Sequence, residues 1–242
     1  MLERAGFSHA FTTRAGGVSK PPFDALDFAI LRDADARREN QARLAAAVGF
    51  EASRLYQARQ VHGRDVVLAE GDPERMLELE ADAVVADPAS GAAVAARVAD
   101  CVPVLVADSA SGRVAAIHAG WRGVVRGVID AGIAAMRARP RSGAPDAFVA
   151  AIGPCIGPCC FEVGTDVAAE IGDAYALRRD EARGKAFVDL HAVVRAKLRD
   201  AGLQDASIDD VSGCTRCDAA RFYSYRRDGD RSGRQLGVIV AR

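Results

Sequence analysis

The chain has 242 residues, half of them hydrophobic, which is enough for one large core. Lys and Arg number 32 against 33 Asp and Glu, a formal net charge of −1, so bulk charge recruits neither nucleic acid nor an anionic membrane surface. No apolar run approaches the roughly 20 residues of a membrane helix, and the first ten residues lack a signal-peptide core. The expected setting is the cytoplasm, where the six cysteines stay reduced and available as ligands or nucleophiles.

Residues 10–13 read as a short strand. The loop Arg14-Ala-Gly-Gly-Val-Ser-Lys-Pro-Pro22 follows, with glycines that permit positive φ and close approach to a ligand. It is either a plain surface connection or, with Arg14 at its start, an anion contact. Residues 33–48 read as an Ala-rich helix stopped by Gly49, with Asn40 in its middle, solvated or turned into a site. Residues 55–61 are a weakly alternating strand that delivers Gln60-Val-His-Gly63. Residues 66–68 are another short strand, and 71–80 an acidic loop or single helical turn.

Four apolar runs follow, at 81–87, 92–98, 102–107 and 114–117, separated by turn signals. They predict four consecutive strands in an antiparallel or mixed meander. The last two form a hairpin, with Cys101 entering the first strand and His118 leaving the second, so both lie at its open rim. Residues 121–139 have apolar positions at spacings of three and four, the mark of one long helix closed by Pro140. Its first turn, Gly120-Trp-Arg-Gly123, offers free N–H groups and the Arg122 guanidinium, an anion site or simply a solvated turn.

Beyond it, 147–152 is a strand and 153–164 a rigid, cysteine-rich loop. Thr165 caps a helix to about residue 176. A strand at 186–190 leads into a helix ending near Gly202, which His191 opens in a structural role. A strand at 207–212 precedes Cys214-Thr-Arg-Cys217, and 222–227 with 235–240 make a final hairpin. With no repeat or linker, residues 1–242 read as one α+β domain, a mixed sheet between helices.

His62, Cys101 and His118 each sit where an apolar run meets a break containing Gly or Asp. Two imidazoles and a thiolate suit zinc, and three protein ligands leave a fourth position for water, which marks a catalytic site. Asp100 and Asp82 are candidate supporting partners or bases, against the plainer reading of turn carboxylates. Without metal, Cys101 and His118 would be a nucleophile and its base. Cys155, Cys159, Cys160, Cys214 and Cys217 read as buried, inert thiols, with a structural all-cysteine zinc site as the alternative.

Gln60-Val-His-Gly63, Ala99-Asp-Cys-Val-Pro-Val-Leu105 and Ile117-His-Ala-Gly-Trp-Arg-Gly123 together resemble the signature blocks of the laccase-domain purine nucleoside phosphorylase family, earlier labelled polyphenol oxidase. The likeness extends to Thr12-Thr-Arg-Ala-Gly-Gly-Val-Ser19, Ala81-Asp-Ala83, Gly153-Pro-Cys-Ile-Gly157, Phe161-Glu-Val-Gly164 and Tyr223-Ser-Tyr-Arg-Arg-Asp228, nearly the whole chain. Cys217 matches no position of the family pattern.

The resemblance implies an α/β sandwich, zinc held by His62, Cys101 and His118, and phosphorolysis of adenosine, inosine and methylthioadenosine to base plus sugar 1-phosphate. It also implies adenosine deamination at the same site. Arg14 and Arg122 are then candidate phosphate ligands, and Asn40, Gln60 and Asp100 candidate substrate contacts. About one zinc per chain is expected, in a monomer or homodimer acting on purine nucleosides and phosphate. The rivals are a peptidoglycan-precursor hydrolase at the same zinc site, a copper-dependent phenol oxidase, and a purine-binding module without turnover. Multicopper chemistry requires many histidines, whereas this chain has four.

Overall fold

The computed structural model describes residues 1–30, 32–138 and 147–242. The first half runs β1 (His9–Phe11), α1 (Ala34–Val48), β2 (Leu55–Tyr56), β3 (Val66–Leu68), α2 (Pro73–Met76), β4 (Ala83–Ala86), β5 (Ala93–Val98), β6 (Val102–Asp108) and β7 (Val114–Ala119). Then come α3 (Trp121–Val125), α4 (Val128–Arg137), β8 (Phe148–Ile152), β9 (Glu162–Gly164), α5 (Thr165–Ile171), β10 (Ala176–Asp180), β11 (Lys185–Val188), α6 (Leu190–Asp200), β12 (Ile208–Asp210), α7 (Tyr225–Asp228) and β13 (Gln235–Val240).

Side chains alternate across a strand, and on β6 both faces are apolar. Val102, Val104 and Val106 join Ile129, Ile133, Val194 and Leu198 in a core beneath α4 and α6. Leu105 and Ala107 turn the other way, into a core shared with Tyr56, Val94, Ala96 and Ile239. The continuous apolar run therefore belongs to a strand covered on both sides. It lies inside a six-stranded sheet of order β12-β8-β6-β7-β4-β3, whose second face meets a four-stranded sheet of order β1-β13-β5-β2. Leu44 of α1 and Phe28 cover the outer face of the smaller sheet at Ala93, Ala95, Leu236 and Val238. The result is an α+β sandwich whose sheets mix parallel pairs (β3 with β4, β8 with β12, β2 with β5) and antiparallel ones.

The β6–β7 hairpin forms as read from the sequence, with Pro103 opposite His118. Helix α1 also matches, with Asp33 accepting from the N–H groups of Asp35 and Ala36, and Gly49 at φ 86° ending it. Several expectations are corrected. The four-strand meander does not exist, because β5 leaves for the smaller sheet, where it pairs with β13 and β2, while β4 pairs with β7.

The single helix at 121–139 is two, α3 and α4, separated by Gly127 at φ 85°. The break frees α4 to press Gly132 onto Ile117, where a Cβ would lie 2.7 Å from the Ile117 Cδ1. Arg139 and Pro140 lie outside the described residues. The C-terminal hairpin is also absent: residues 225–228 form a helical turn and β13 pairs with β1 and β5 instead. Thr165 is the first residue of α5 and not its cap, and α5 ends at Gly172, so that β10 and β11 form a hairpin.

Candidate active site

The rim of the hairpin is where the chemistry collects. Cys101 lies just before β6, and His118 is the next-to-last residue of β7. His62 arrives from the short loop before β3. The ligand atoms of His62, Cys101 and His118 all lie within 4.8 Å of one another, with Cys101 Sγ 3.7 Å from His62 Nε2. The two imidazole rings meet edge to face at 4.8 Å between centroids. Gly120 leaves the space for this: a Cβ there would stand 2.6 Å from His62 Cδ2 and 3.1 Å from Cys101 Sγ. His62 at φ 57° and Asp100 at φ 89° are the two non-glycine residues in the left-handed region among those described. Such backbone persists where its surroundings over-determine it.

Asp82 organises the cluster. Its Oδ1 accepts from His118 Nδ1 at 2.7 Å and from the His62 N–H at 3.0 Å. Its Oδ2 accepts from the Gly63 N–H at 2.7 Å and the Val61 N–H at 3.2 Å. The His118 N–H donates to the Asp82 carbonyl at 2.7 Å. An ionised carboxylate only accepts, so His118 carries its proton on Nδ1 and presents Nε2 to the cluster. A ligand histidine is commonly fixed in this way by a carboxylate behind it. Burial pushes the Asp82 carboxyl up, but the His118 bond and charge and the N–H groups of Gly63 and Val61 outweigh it and hold it below the usual range.

The same balance sets the pair in front of Asp82. Burial raises the Cys101 thiol, yet the neighbouring His118 and His62 bring it down to about 6. Burial lowers His118, yet the Cys101 thiolate and Asp82 raise it to about 9. The metal-free cluster is thus a thiolate–imidazolium pair of Cys101 and His118 beside the His62 ring, and a divalent metal that displaced the His118 Nε2 proton would meet one sulfur and two ring nitrogens, a donor set with one open position. Metal-free protein is expected to alkylate at Cys101 with iodoacetamide at neutral pH, slowing as the pH falls through about 6. Cys155, whose thiol burial pushes well up, is expected to stay unmodified. Peptide mass spectrometry reads both sites, and equal rates at the two would overturn the thiolate assignment.

The cluster opens into a cavity of about 490 Å³ lined by Gln60, His62, Arg97, Ala99, His118, Arg122, Tyr225 and Arg234, within the usual size of small-molecule sites. Of the residues picked from the sequence, His62, His118, Gln60 and Arg122 line it. Gln60 clamps the backbone of Arg97 through both ends of its amide, at 2.7 and 2.8 Å. Arg122 stacks 4.5 Å from the Trp121 ring centroid. Asp100 stands behind Cys101, its oxygens accepting from the Thr215 hydroxyl and the Arg226 N–H, both at 2.6 Å.

Arg14 and Asn40 are elsewhere. Arg14 donates to the carbonyls of Asp24 and Ala219. Asn40 is fully buried, accepting from the Val18 N–H and donating to Ser19 Oγ and the carbonyls of Ala25 and Asp27. It is neither solvated nor turned into the cavity; it fastens the 14–27 loop to α1.

Four cavity residues were not singled out from the sequence, Ala99, Tyr225 and the two cations Arg97 and Arg234. Arg97 is held by Gln57 Oε1 and the Ala58 carbonyl, both at 2.7 Å, and Arg234 by the carbonyls of Ser232 and Gly233. Neither makes a salt bridge among the described residues. Burial first, then neighbouring cations, brings Arg97 down to about 10 and lowers Arg234 as well. Buried cations placed together need an anion. A charged residue inside the apolar run 92–98 was the available signal.

Residues 8–242 match the family described as multi-copper polyphenol oxidoreductase laccase. The chain belongs to this family. A relative named purine nucleoside phosphorylase, from Deinococcus radiodurans, is 42% identical over 240 residues, covering 96% of this chain and 88% of the relative. Another of that name from Pseudomonas aeruginosa is 38% identical over 240 residues, covering 94% of this chain and 90% of the relative. The crystal structure of YlmD from Geobacillus stearothermophilus superposes with a TM-score of 0.86 at 31% identity, covering 98% of this chain and 93% of that one.

The multi-copper description of this laccase-domain family meets a sparse donor set here. His9 is engaged with the Phe7 carbonyl and His191 with Asp210. Among the described residues, one centre contains imidazole.

Proposed function

We propose that this laccase-domain protein is a metal-dependent purine nucleoside phosphorylase whose metal is zinc, held by His62, Cys101 and His118, with adenosine deamination as a second reaction in the same cavity. One observation carries the reading: a single cavity is lined both by His62 and His118, the two histidines of the His-Cys-His cluster, and by Arg97, Arg122 and Arg234. The names of the relatives point to the same activity. When bound, zinc lowers the pKa of water towards neutrality and polarises an acceptor group.

The chain's own residues do the rest. The three guanidinium groups hold a phosphate dianion, and Arg is suited to this by its fixed fork of donors. A phosphate oxygen forms the new bond to C1′ of the ribose as the bond from C1′ to the purine nitrogen breaks. The base leaves with that electron pair and takes up the proton that the hydrogen phosphate gives up on becoming an ester, and the sugar leaves as its 1-phosphate. Positive charge on the ribose in the transition state is opposed by the phosphate the arginines fix beneath it. Asp82 holds His118 in one tautomer throughout. Gln60 keeps the Arg97 backbone in register with the loop that carries His62. Arg14, Asn40 and Asp100 are positioning residues in this scheme.

Incubating the zinc-loaded chain with adenosine, with and without phosphate, tests it. Adenine formed only with phosphate and inosine formed without it are the expected products. No purine product in either case would overturn the reading and favour a muramoyl-peptide substrate. Oxidation of phenols by the copper-loaded chain at a faster rate would favour the oxidase instead.

Arg97→Ala, Arg122→Ala and Arg234→Ala are each expected to raise the phosphate KM roughly 10- to 100-fold. That is the effect of one contact to a charged group worth about 1.5–3 kcal/mol. Deamination should change much less. Equal loss of both reactions in all three variants would remove the phosphate role.

A further inference from the structure

Two cysteine pairs far apart in sequence meet outside the lining of the cavity. Cys159 and Cys160 lie in the loop before β9, and Cys214 and Cys217 follow β12. We propose that Cys159, Cys160, Cys214 and Cys217 form a second metal site, a closed four-thiolate zinc centre that fastens the 153–164 loop to the 212–218 segment.

The sulfur atoms of these four residues all lie within 4.8 Å of one another. Cys160 Sγ is 3.3 Å and Cys159 Sγ 3.7 Å from Cys217 Sγ. Four sulfurs placed tetrahedrally about zinc at ~2.3 Å stand about 3.8 Å apart, whereas a disulfide brings two to ~2.05 Å. All four are free cysteines. The spacing is that of ligands around a common centre and not of bonded pairs.

The surroundings suit thiolates. The Gly157 N–H donates to Cys214 Sγ at 3.2 Å, and Arg216 Nη1 donates to Cys160 Sγ at 3.4 Å. Donors of this kind around ligand sulfurs partly neutralise their charge and orient them. A Cβ on Gly157 would stand 3.2 Å from Cys214 Cβ and 3.4 Å from Cys159 Sγ, so glycine lets the backbone close over the cluster.

Burial argues against inert core thiols. Cys155 and Cys160 are buried, but Cys159 and Cys217 are exposed. Thiolates packed this closely repel one another unless a cation sits among them. Four thiolates select soft or borderline metals over magnesium and calcium, and leave no open position for substrate. The centre is therefore structural.

Its reach into the cavity runs through Thr215, which lies between the Cys214 and Cys217 ligands. The Thr215 hydroxyl donates to Asp100, and its N–H donates to the Cys155 carbonyl at 2.9 Å. Asp100 in turn precedes Cys101. Binding zinc at the four thiols would hold Thr215, and with it the left-handed backbone at Asp100, in one place.

Elemental analysis of the full chain, purified without chelator, is expected to give two zinc ions per chain. The Cys159→Ser, Cys217→Ser double variant should hold one fewer. Cobalt loading of the Cys101→Ala chain should show intense sulfur-to-cobalt charge transfer with tetrahedral ligand-field bands. Because that signal is read with the His-Cys-His site already broken, it reports on the four thiols whatever His62 and His118 hold, and it does not depend on the double variant folding. Thiol titration after chelation in denaturant, without reductant, should find all six cysteines free. Absence of the cobalt signal overturns the site. So does an oxidised pair in the thiol count accompanied by a single zinc.

Discussion

Cys101→Ala is expected to abolish both purine reactions while leaving the fold intact. Only two imidazoles then remain at the candidate centre, too few for a stable three-ligand site. Loss of a supporting partner alone typically costs 10- to 100-fold in metal affinity or activity, so loss of the ligand should exceed about 100-fold. The fold should survive because Cys101 is only half-buried at the mouth of the hairpin, while the core beneath it is made by Val102, Val104 and Val106. Zinc content and turnover of adenosine with phosphate check this together. Full activity in a folded Cys101→Ala protein would separate the reaction from the cluster.

Asp82→Asn should damage the protein twice over. Asp82 accepts from three backbone N–H groups and from His118, and its side chain is fully buried. An asparagine of the same size turns an NH2 group onto one pair of those donors. Each buried donor left without an acceptor costs about 1–3 kcal/mol. For a chain of this size, a loss of about 2–3 kcal/mol lowers Tm by roughly 5–10 °C. His118 also loses its tautomer control, and metal affinity should fall about 10- to 100-fold. Calorimetry and competition with a chromophoric chelator measure the two effects. Unchanged metal affinity in the folded variant would mean that Asp82 supports the loop and not the ligand.

Much of the fold was readable because it rests on local signals. Residues 102–107 and 114–117 are apolar at every position and separated by a turn cluster, so the hairpin and its rim followed directly. Helix α1 carried its own stop in Gly49. The failures also have local causes. Residues 121–139 keep helical spacing across Gly127, because periodicity does not register a single left-handed residue. Residues 93–98 are as apolar as their neighbours except at Arg97, and nothing in the run tells which sheet they join. Asn40 reads as a polar residue on a helix, and its burial appears only when the 14–27 loop is laid over α1.

The candidate site divides in the same way. The sequence by itself determined that Cys101 and His118 share one rim, since strand direction and a short turn leave no other arrangement. It also placed His62 before a glycine and supplied the blocks that mark the family. Tertiary structure alone decided that His62 reaches that rim, that Asp82 ties both histidines, that Arg97 and Arg234 converge on the cavity, and that four cysteines from two distant segments face one another. Those contacts join residues far apart in the chain. Their geometry comes from how two sheets stack and where loops cross them, and the local preferences of each residue are indifferent to it.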